Sequence, residues 1–385
     1  MSWPLVNLST ICQIDMGSAP KGSTYVELDS GVPLIAGAAD YGDVFPRPKK
    51  ATLEPTKLCK KGDIIICVRA TIGDLNWADK EYCLGRGVAG LRAHDEKLDS
   101  KYLWYFIASI EDELYRNSTG STFPQINKKV IESLEIPLPP LKNQKQIAAV
   151  LEKADQLRKD CQQMEQELNS LVQSVFIDMF GDPVTNSKGW DVGIIGEMLS
   201  SANYGTSEKS STEKKKFPVL RMNNITYEGN WDFSALKYMD MSKEDENKYL
   251  VKSGDILFNR TNSKELVGKT AVYREATSMA YAGYLVRARC NELAHPDYIS
   301  SFMNSKYGKK TLQSMCKSIV GMANINAKEF QKIKIAKPPV ELQEKFAIRV
   351  AAIRTKVADV KQQEAEYNLL FNALMQKAFK GELNL

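Results

Sequence analysis

The sequence predicts an α+β protein in which two β-rich globular domains are joined by two long helices that form an antiparallel coiled coil. Three observations indicate this class: an internal repeat, a long proline-free segment with heptad spacing at the end of each half, and short β-rich runs elsewhere. Head-to-head packing of two such units would give an approximate two-fold axis. The predicted boundaries are 1–138 and 182–337 for the globules, and 139–181 and 338–385 for the helices.

The internal repeat is clearest at two proline pairs. "PPLKNQKQIA" begins at Pro139 and "PPVELQEKFA" begins at Pro338, an offset of 199 residues. The same offset holds without a gap on both sides of these prolines, which indicates a duplication. The matched pairs include Ile126 with Ile325, Asn127 with Asn326, Ile136 with Ile335, Gln144 with Gln343, Ala148 with Ala347, Leu171 with Leu370 and Phe180 with Phe379.

Each repeated segment is predicted to be one long helix, because a stiff Pro-Pro entry is followed by about 40 residues without proline. At a rise of ~1.5 Å per residue, each helix would be roughly 60 Å long. Apolar residues recur every seven positions in both helices, and we expect the two seams to meet as a coiled coil. An alternative that remains open is two amphipathic helices packed on separate globules.

The predicted seams are made of two rows in each helix. In the first helix the rows are Ile147, Ala154, Cys161, Leu168 and Val175, and three positions later Val150, Leu157, Met164 and Leu171. In the second helix they are Phe346, Ile353, Val360, Tyr367 and Leu374, with Val350, Val357, Glu364, Phe371 and Ala378. The candidates for coiled-coil or partner contacts are Ile147, Leu157, Leu168, Leu171, Phe346, Ile353, Val360 and Leu374.

The two globules match each other only in outline. Both contain β-rich runs separated by Gly, Pro, Ser and Asn clusters. "VPLIAG" (32–37) corresponds to "FPVLRM" (217–222), "KGDIII" (61–66) to "SGDILF" (253–258), and "GSTFPQIN" (120–127) to "IVGMANIN" (319–326). The helices are therefore kept between the halves, whereas the loops of the globules differ.

The composition narrows the class of protein. The 385 residues, 43% apolar and 26% charged, are typical of a soluble chain with two or more domains. Seven scattered cysteines and two histidines argue against a zinc site or a disulfide framework, and favour a reducing cytoplasm. No signal peptide or membrane-spanning run is evident.

The net charge of +5 is unevenly distributed. Segments 141–181 and 340–385 together hold twelve basic and twelve acidic residues, so the excess lies outside the predicted helices. The globules are therefore the mildly basic part of the chain, as expected if they face nucleic acid.

The sequence lacks the usual motifs for covalent chemistry. "GRGVAG" (Gly85, Gly87 and Gly90) fits a dinucleotide-binding pattern, but the strand-like "LRAH" that follows favours a glycine-rich turn between strands. There is no G-K-[ST] phosphate loop, no N-P-P-Y or D-P-P-Y element, and no compact nuclease cluster. The sequence predicts no catalysis, no cofactor and no metal in this chain.

Several loops carry the side chains that read and position DNA. Arg and Lys suit guanine, Asn and Gln suit adenine, and Lys, Ser and Thr suit phosphates. "NRTNSK" (259–264) follows the second "GDI" run, and its counterpart "RATIG" (69–73), with Arg69 and Thr71, follows the first. "GSTFPQ" is equally well explained as a simple turn before the helix, and the run 214–216 is better explained as a solvated loop. The candidate DNA contacts are Lys21, Ser23, Thr24, Arg69, Thr71, Ser121, Thr122, Gln125, Tyr204, Ser207, Lys209, Arg260, Thr261, Asn262, Ser263, Lys264 and Asn324.

Both repeated segments, with the endings "FGDP" (180–183) and "KAFKGEL" (377–383), resemble the helical spacers of type I restriction–modification specificity subunits. The globules, through "GDIIICVRATIG", "GDILFNRTNSKELVGKTAV" and "STGSTFPQIN", look like the target recognition domains of that family. The resemblance covers essentially the whole chain. In the second globule "IVGMANIN" departs from the "GST"-like loop of the first, which leaves the matching contacts there less defined.

The resemblance implies a non-catalytic subunit that binds double-stranded DNA. Each recognition domain would read one half of a split target, and the spacers would fix the gap. The spacers would also dock two modification (methyltransferase) subunits, and restriction (motor-nuclease) subunits would join for cleavage. S-adenosylmethionine, ATP and Mg would then be bound by those partners.

Three other readings remain. A coiled-coil scaffold that binds protein explains the heptads but not the Ser-, Thr-, Asn- and Arg-rich loops at matching positions. The recognition subunit of a fused methylase–nuclease system would have the same sequence features. A self-contained methyltransferase or nuclease is disfavoured by the missing motifs.

Overall fold

The computed structural model describes residues 3–120, 124–316 and 322–383. The chain divides into two compact units. Unit 1 comprises Met1–Cys161 with Gln363–Leu385, and unit 2 comprises Gln162–Gln362. Each unit therefore contains one globule with the beginning of one long helix and the end of the other.

The globule of unit 1 is built from short strands and three short helices. Its strands are β1 (Leu5–Asn7), β2 (Cys12–Met16), β3 (Tyr25–Val26), β4 (Val32–Ile35), β5 (Lys50–Thr52), β6 (Leu58–Cys59), β7 (Ile64–Cys67), β8 (Leu75–Trp77), β9 (Tyr82–Leu84), β10 (Val88–Ala93) and β11 (Glu135–Pro137). Its helices are α1 (Ser100–Ser109), α2 (Glu111–Arg116) and α3 (Lys128–Glu132), and the long helix α4 (Leu141–Phe180) follows.

The globule of unit 2 is built in a similar way, with an additional helix between its fourth and fifth strands. Its strands are β12 (Val192–Ile194), β13 (Leu199–Tyr204), β14 (Phe217–Leu220), β15 (Lys237–Met239), β16 (Ile256–Asn259), β17 (Thr261–Asn262), β18 (Thr270–Val272), β19 (Ala280–Tyr281), β20 (Leu285–Cys290), β21 (Ala323–Asn324) and β22 (Lys334–Ala336). Its helices are α5 (Lys243–Tyr249), α6 (Pro296–Asn304), α7 (Lys306–Met315), α8 (Ala327–Gln331) and the long α9 (Val340–Lys380).

The two globules share the central part of their sheet topology, although the edges of the second sheet differ between them. An antiparallel sheet has the order β2-β10-β7-β8 in unit 1 and β13-β20-β16-β18 in unit 2. A parallel pair, β4 with β9 and β14 with β19, recurs in a second sheet. The first and last strands also pair, β1 with β11 and β12 with β22. The α+β fold class and the internal repeat that the sequence predicts are confirmed.

The "GDI" runs form the central strands of these sheets. All four residues of β7 and all four of β16 are buried, because each strand has neighbours on both edges and is covered on both faces. "GRGVAG" links β9 to β10, a strand, so no helix begins after it. A Cβ on Gly87 would lie 2.2 Å from the Ala36 carbonyl oxygen, and one on Gly85 would lie 2.9 Å from that of Ile35. These glycines permit close backbone approach.

A fully buried glutamine fixes each long helix to its globule. In unit 1 the Gln144 side chain accepts a hydrogen bond from Asp99 N (2.8 Å) and donates to the carbonyls of Lys97 and Pro139 (both 2.9 Å). Asp99 is the N-cap of α1, which holds that helix against α4. In unit 2 the matching Gln343 accepts from His295 N (2.9 Å) and donates to the carbonyls of Leu293 (3.2 Å) and Pro338 (2.8 Å).

The long helices pair antiparallel in unit 2, where Glu165 lies 3.1 Å from Lys361, and Phe176 packs on Phe346 with ring centroids 5.7 Å apart. In unit 1 the beginning of α4 packs on the end of α9, and the Arg158 guanidinium lies 4.1 Å from the centroid of the Phe371 ring. The seam residues predicted for the second helix are all buried or half-buried.

One predicted row of the first helix is wrong. Ile147, Ala154 and Cys161 are buried, but in the companion row Met164 is 49% exposed and Leu171 is 44% exposed, and Leu157 is only half-buried. The inward companion row instead lies four positions after the first. It is Gln144, Leu151, Arg158, Glu165, Val172 and Met179. A search for apolar spacing does not find this row, because two of its members are polar: Arg158 stacks on an aromatic ring and Glu165 forms an ion pair.

No helix in the described part of the chain is long and apolar enough to cross a membrane. All seven cysteines are free of disulfides. Within the described ranges, no three His, Cys, Asp or Glu side chains are grouped so that they could hold a metal ion.

Candidate nucleic-acid interface

The aspartate of each "GDI" run is buried and holds both the turn before its strand and an arginine of the neighbouring strand. Asp63 is buried, accepts from Lys60 N at 2.7 Å, and forms two hydrogen bonds with Arg92 at 2.6 and 2.8 Å. In unit 2, Asp255 accepts from Lys252 N at 2.9 Å and from Arg289 at 2.7 and 3.1 Å. The hydrogen bonds to these carboxylates raise the pKa of both arginines.

In unit 1, the loop after β7 and the segment before α3 meet through backbone hydrogen bonds. Ile126 N donates to the Val68 carbonyl (3.0 Å), and Ala70 N donates to the Pro124 carbonyl (3.2 Å). The backbones of Arg69 and Gln125 are paired here as an isolated antiparallel β-bridge, and both side chains are exposed. We call this the unit 1 joint; it places one guanine-reading and one adenine-reading residue type side by side.

The unit 1 joint contains a strained backbone position. Ala70 has φ +61°, a left-handed conformation that residues with a side chain rarely adopt. It is held there because the Tyr115 hydroxyl donates to the Ala70 carbonyl (2.9 Å) and accepts from Ile72 N (3.1 Å). Strain of this kind is maintained by surrounding contacts and is common at functional sites.

The corresponding unit 2 joint carries a different set of side chains. Strand β17 pairs with β21, and Ile325 N donates to the Arg260 carbonyl at 2.9 Å. The Arg260 guanidinium donates to Asn324 Oδ1 at 3.1 Å and lies 5.0 Å from the centroid of the Tyr204 ring. Arg260 Nη1 also donates to the Gly283 carbonyl at 3.4 Å. Cation–π and amide contacts thus orient this guanidinium before any ligand binds.

The two arginines do not occupy equivalent positions, contrary to the sequence-based pairing of their loops. Counted from the "GDI" aspartates, Arg260 corresponds to the buried Val68, and Arg69 corresponds to Thr261. The hydrogen bonds agree, since Val68 and Arg260 both accept from the isoleucine of the "IN" pair. The joints therefore present arginine from neighbouring positions on the strand.

Two predicted DNA contacts are structural residues. Thr24 is buried and shares a 2.9 Å hydrogen bond with Thr52 while donating to the Lys21 carbonyl at 2.7 Å. Thr261 is 7% exposed and lies inside the β17–β21 pair. Neither hydroxyl faces solvent, so neither meets DNA in this conformation.

The other predicted contacts lie at the surface or outside the described residues. Exposed side chains are those of Lys21, Ser23, Thr71, Ser207, Lys209 and Lys264, and Asn262 and Ser263 are partly exposed. Thr71 Oγ1 is within 3.5 Å of Cys67 Sγ, and Ser263 N donates to Asn262 Oδ1 at 2.9 Å. Ser121 and Thr122 lie outside the described residues.

Tyr284 was missed by sequence reasoning. Its side chain is 52% exposed, and its carbonyl accepts a hydrogen bond from Arg260 N at 3.0 Å, so it belongs to the unit 2 joint. Only the hydrogen bonding identifies it, because the Gly87 carbonyl accepts the corresponding bond from Val68 N in unit 1. An aromatic side chain at this place can pack on a sugar or base.

Two lysines of unit 2 are not ordinary surface charges. Lys269 is buried, and its ammonium donates to the Ile225 carbonyl; burial lowers its pKa. Lys309 donates to the Tyr227 carbonyl, and burial, partly offset by Glu228 and reinforced by Lys269, lowers its pKa to about 8. Lys309 therefore loses part of its charge just above neutral pH.

Comparison with known proteins identifies relatives of this chain over both of its halves. A sequence profile described as "Type I restriction modification DNA specificity domain" matches residues 2–170 and 187–369. The chain is similar to the putative MjaX specificity subunit of Methanocaldococcus jannaschii, 38% identical over 169 residues, which is 42% of this chain and 40% of that relative. It is also similar to the EcoKI specificity subunit of Escherichia coli K12, at 24% identity over 99% of this chain and 89% of that relative.

A solved structure shares the fold. The S subunit of a type I restriction–modification system from M. genitalium superposes with a TM-score of 0.59 at 16% identity, covering 98% of this chain and 96% of that one. The profile matches both halves of the chain, in the order that the repeated topology requires. The chain therefore belongs to the family of type I restriction–modification DNA specificity subunits.

Proposed function

We propose that each unit reads one half of a two-part DNA target, unit 1 through Arg69 and Gln125 and unit 2 through Arg260 and Asn324. The observation that carries this proposal is that one frame supports two different joints. The buried glutamine, the "GDI" aspartate and the hydrogen bond to the "IN" isoleucine recur in both units. The side chains displayed at the joint differ, as expected of two readers with different half-sites.

The unit 2 joint supports a specific readout step. Arg260 and Asn324 are paired with each other before DNA binds. Opening that pair presents a guanidinium that suits guanine O6 and N7, and an amide that suits adenine N6 and N7. Lys209, Ser207, Lys264 and, in unit 1, Lys21 and Ser23 are exposed donors that suit phosphates.

The long helices would set the gap between half-sites and dock two modification subunits. The exposed leucines support this part of the proposal. Leu171 (44% exposed) and Leu370 (46% exposed) are related by the 199-residue repeat, and each lies on the outer face of its helix. An apolar residue kept outside the seam at both repeats suits two copies of one partner. Leu171→Glu and Leu370→Glu should each remove one methyltransferase copy from the complex, measured by native mass spectrometry.

The chain itself would be non-catalytic and cytoplasmic, with S-adenosylmethionine, ATP and Mg bound by its modification and restriction partners. Restriction subunits would join the same assembly for cleavage. The arginine, lysine, serine and asparagine side chains at the joints and in the neighbouring loops of both globules support DNA, rather than protein, as the ligand of the loops.

Methylome sequencing of a methylation-free bacterial host tests the proposal. The host would carry the adjacent methyltransferase gene with and without this chain. A new motif with two short specified halves and a fixed unspecified gap supports two readers. A continuous motif, or methylation that does not depend on the chain, contradicts it. No methylation, with both proteins soluble and co-purifying, would favour a protein-binding scaffold.

A further inference from the structure

The turn between β9 and β10 of unit 1, "GRG" (85–87), is held from three sides; we call it the GRG turn. Three backbone hydrogen bonds join the turn and the strand end before it to neighbouring segments: Gly85 N donates to the Ile35 carbonyl (2.8 Å), Val68 N to the Gly87 carbonyl (2.9 Å) and Ser18 N to the Leu84 carbonyl (2.8 Å). A Cβ on Gly17 would overlap the Gly85 carbonyl oxygen, so the segment after β2 packs directly on the turn. The middle residue of the turn, Arg86, therefore has a fixed backbone.

The Arg86 side chain is free on this fixed backbone. It is exposed, and within the described ranges its guanidinium forms no hydrogen bond or ion pair. The glycine on either side of it lets the backbone approach the carbonyls of Ile35 and Ala36 closely. A solvated surface arginine needs no such support, whereas an arginine that must reach a defined place on a ligand gains from it, because less freedom is lost on binding.

The pairing of β7 with β10 sets Arg86 across from Arg69. The hydrogen bond between Val68 N and the Gly87 carbonyl continues this ladder one step beyond the two strands. The next step places Arg86 opposite Arg69, at the unit 1 joint. Arg69 also lacks a side-chain partner in the described part of the chain. Like charges directly opposite each other are unfavourable in a ladder, so two unpaired arginines here suit a ligand that is anionic and rich in acceptors.

In unit 2 the exposed pair lies one step earlier in the corresponding ladder. Arg260 N donates to the Tyr284 carbonyl at 3.0 Å, so these two residues stand where unit 1 has Val68 and Gly87. Tyr284 is 52% exposed. Unit 2 therefore also presents two large side chains opposite each other, one from the strand and one from the turn between β19 and β20.

Backbone packing closes the alternative pair in each unit. In unit 1 Val68 is buried, and Gly87 has no room for a side chain. In unit 2 Thr261 is buried, and a Cβ on Gly283 would lie 3.3 Å from the Thr206 carbonyl oxygen. The displayed positions on the strand and on the turn therefore shift together between the units, which indicates that they act as a pair.

We propose that the GRG turn is a second reading element of unit 1, and that Arg86 recognises a guanine in the same half-site as the base that Arg69 reads. A guanidinium suits the O6 and N7 acceptors of guanine in the major groove. Such two-point recognition depends on geometry, which the fixed backbone of the turn supplies, whereas a phosphate contact needs little more than a charge. The inference rests on the proposed function and gives the glycines of "GRGVAG" a role in DNA recognition.

The methylome of a methylation-free host tests the inference, with the methyltransferase and full-length chains carrying Arg86→Ala, Arg69→Ala or Lys61→Ala. Lys61 is exposed in the turn before β7, at the end of that strand opposite to the joint, and its replacement controls for the loss of one positive charge. Arg86→Ala should lower the preference for guanine at one position of one half-site at least about fivefold. Arg69→Ala should relax a different position of the same half-site, and Lys61→Ala should keep the parent motif.

An unchanged motif with Arg86→Ala overturns the inference, and so does uniform weakening on all sequences, because a phosphate contact carries no sequence information. If Arg86→Ala abolishes methylation, the purified complex is compared on parent and singly substituted duplexes at low salt, where binding is stronger. Discrimination equal to that of the parent complex then overturns the inference as well. If Arg69→Ala relaxes one half-site and Arg86→Ala does not, the reading role of the turn is refuted while that of unit 1 stands; a parent motif that is not split contradicts the proposed function itself.

Discussion

Replacing Gln144 by alanine should detach the start of α1 from α4 without unfolding the rest of the chain. The substitution leaves Asp99 N–H and the carbonyls of Lys97 and Pro139 without their partner. An unsatisfied buried polar group costs about 1–3 kcal/mol, and water can reach part of this loop, so we expect about 3 kcal/mol in total. That cost corresponds to roughly 100-fold more frequent opening, since ~1.4 kcal/mol is tenfold.

Hydrogen exchange measured by mass spectrometry is the assay, because the Asp99 amide is itself one of the donors that the substitution leaves unpaired. Gln146→Ala, two residues along the same helix and exposed, is the matched control and should change protection by less than about 0.5 kcal/mol. Gln343→Ala should reproduce the effect in unit 2, at the loop before α6. If Gln144→Ala matches its control, the glutamine does not hold the globule and the reasoning is refuted.

Other outcomes follow from the same structure. Burial lowers the pKa of His295, whose Nδ1 accepts the α6 capping hydrogen bond from Asp297 N, so this contribution to the stability of unit 2 is complete above pH ~6.5 and is lost on acidification below it. His295→Asn, which caps the helix without titrating, should make the free energy of unfolding less dependent on pH in urea titrations at pH 5 and 7. An unchanged pH dependence would count against this role of His295. Lys309, with a pKa of about 8, should react with an amine-directed acylating reagent at pH 8 faster than its exposed neighbour Lys310, as measured by peptide mapping. Slower labelling of Lys309 than of Lys310 would argue against a lowered pKa at this ammonium. Tyr115→Phe should relax the backbone at Ala70 and weaken DNA binding by the complex about threefold or more. It should also lower the free energy of unfolding by about 1 kcal/mol, because the Ile72 N–H loses its acceptor; unchanged DNA binding would make Tyr115 a purely structural residue.

The architecture was predictable because it is repeated. The 199-residue offset and the two "GDI" runs locate the long helices and the central strands, and the structure places them there. The same offset would also have corrected the seam of α4. Projecting Val350, Val357 and Glu364 back by 199 gives Leu151, Arg158 and Glu165, which is the observed inward row. A search for apolar spacing alone misses it, because an arginine and a glutamate face inward where they find partners on α9.

The candidate site was predictable only as a set of loops. Residue type does not separate a threonine that meets a phosphate from one that bonds another threonine, and Thr24 and Thr261 proved to be buried. Matching the loops by their arginines instead of by their "GDI" aspartates hid the one-residue displacement between Arg69 and Arg260.

The most direct test of the central claim is the methylome of cells carrying Arg69→Ala or Arg260→Ala chains with the methyltransferase, beside a Lys214→Ala control. Removing an arginine that reads a base costs about 1–3 kcal/mol of discrimination at that position. The account predicts that each arginine variant relaxes one position in one half of the split motif, in different halves, and that the control keeps the parent motif. If both variants relax the same half, or weaken methylation uniformly without changing the motif, the units are not separate readers.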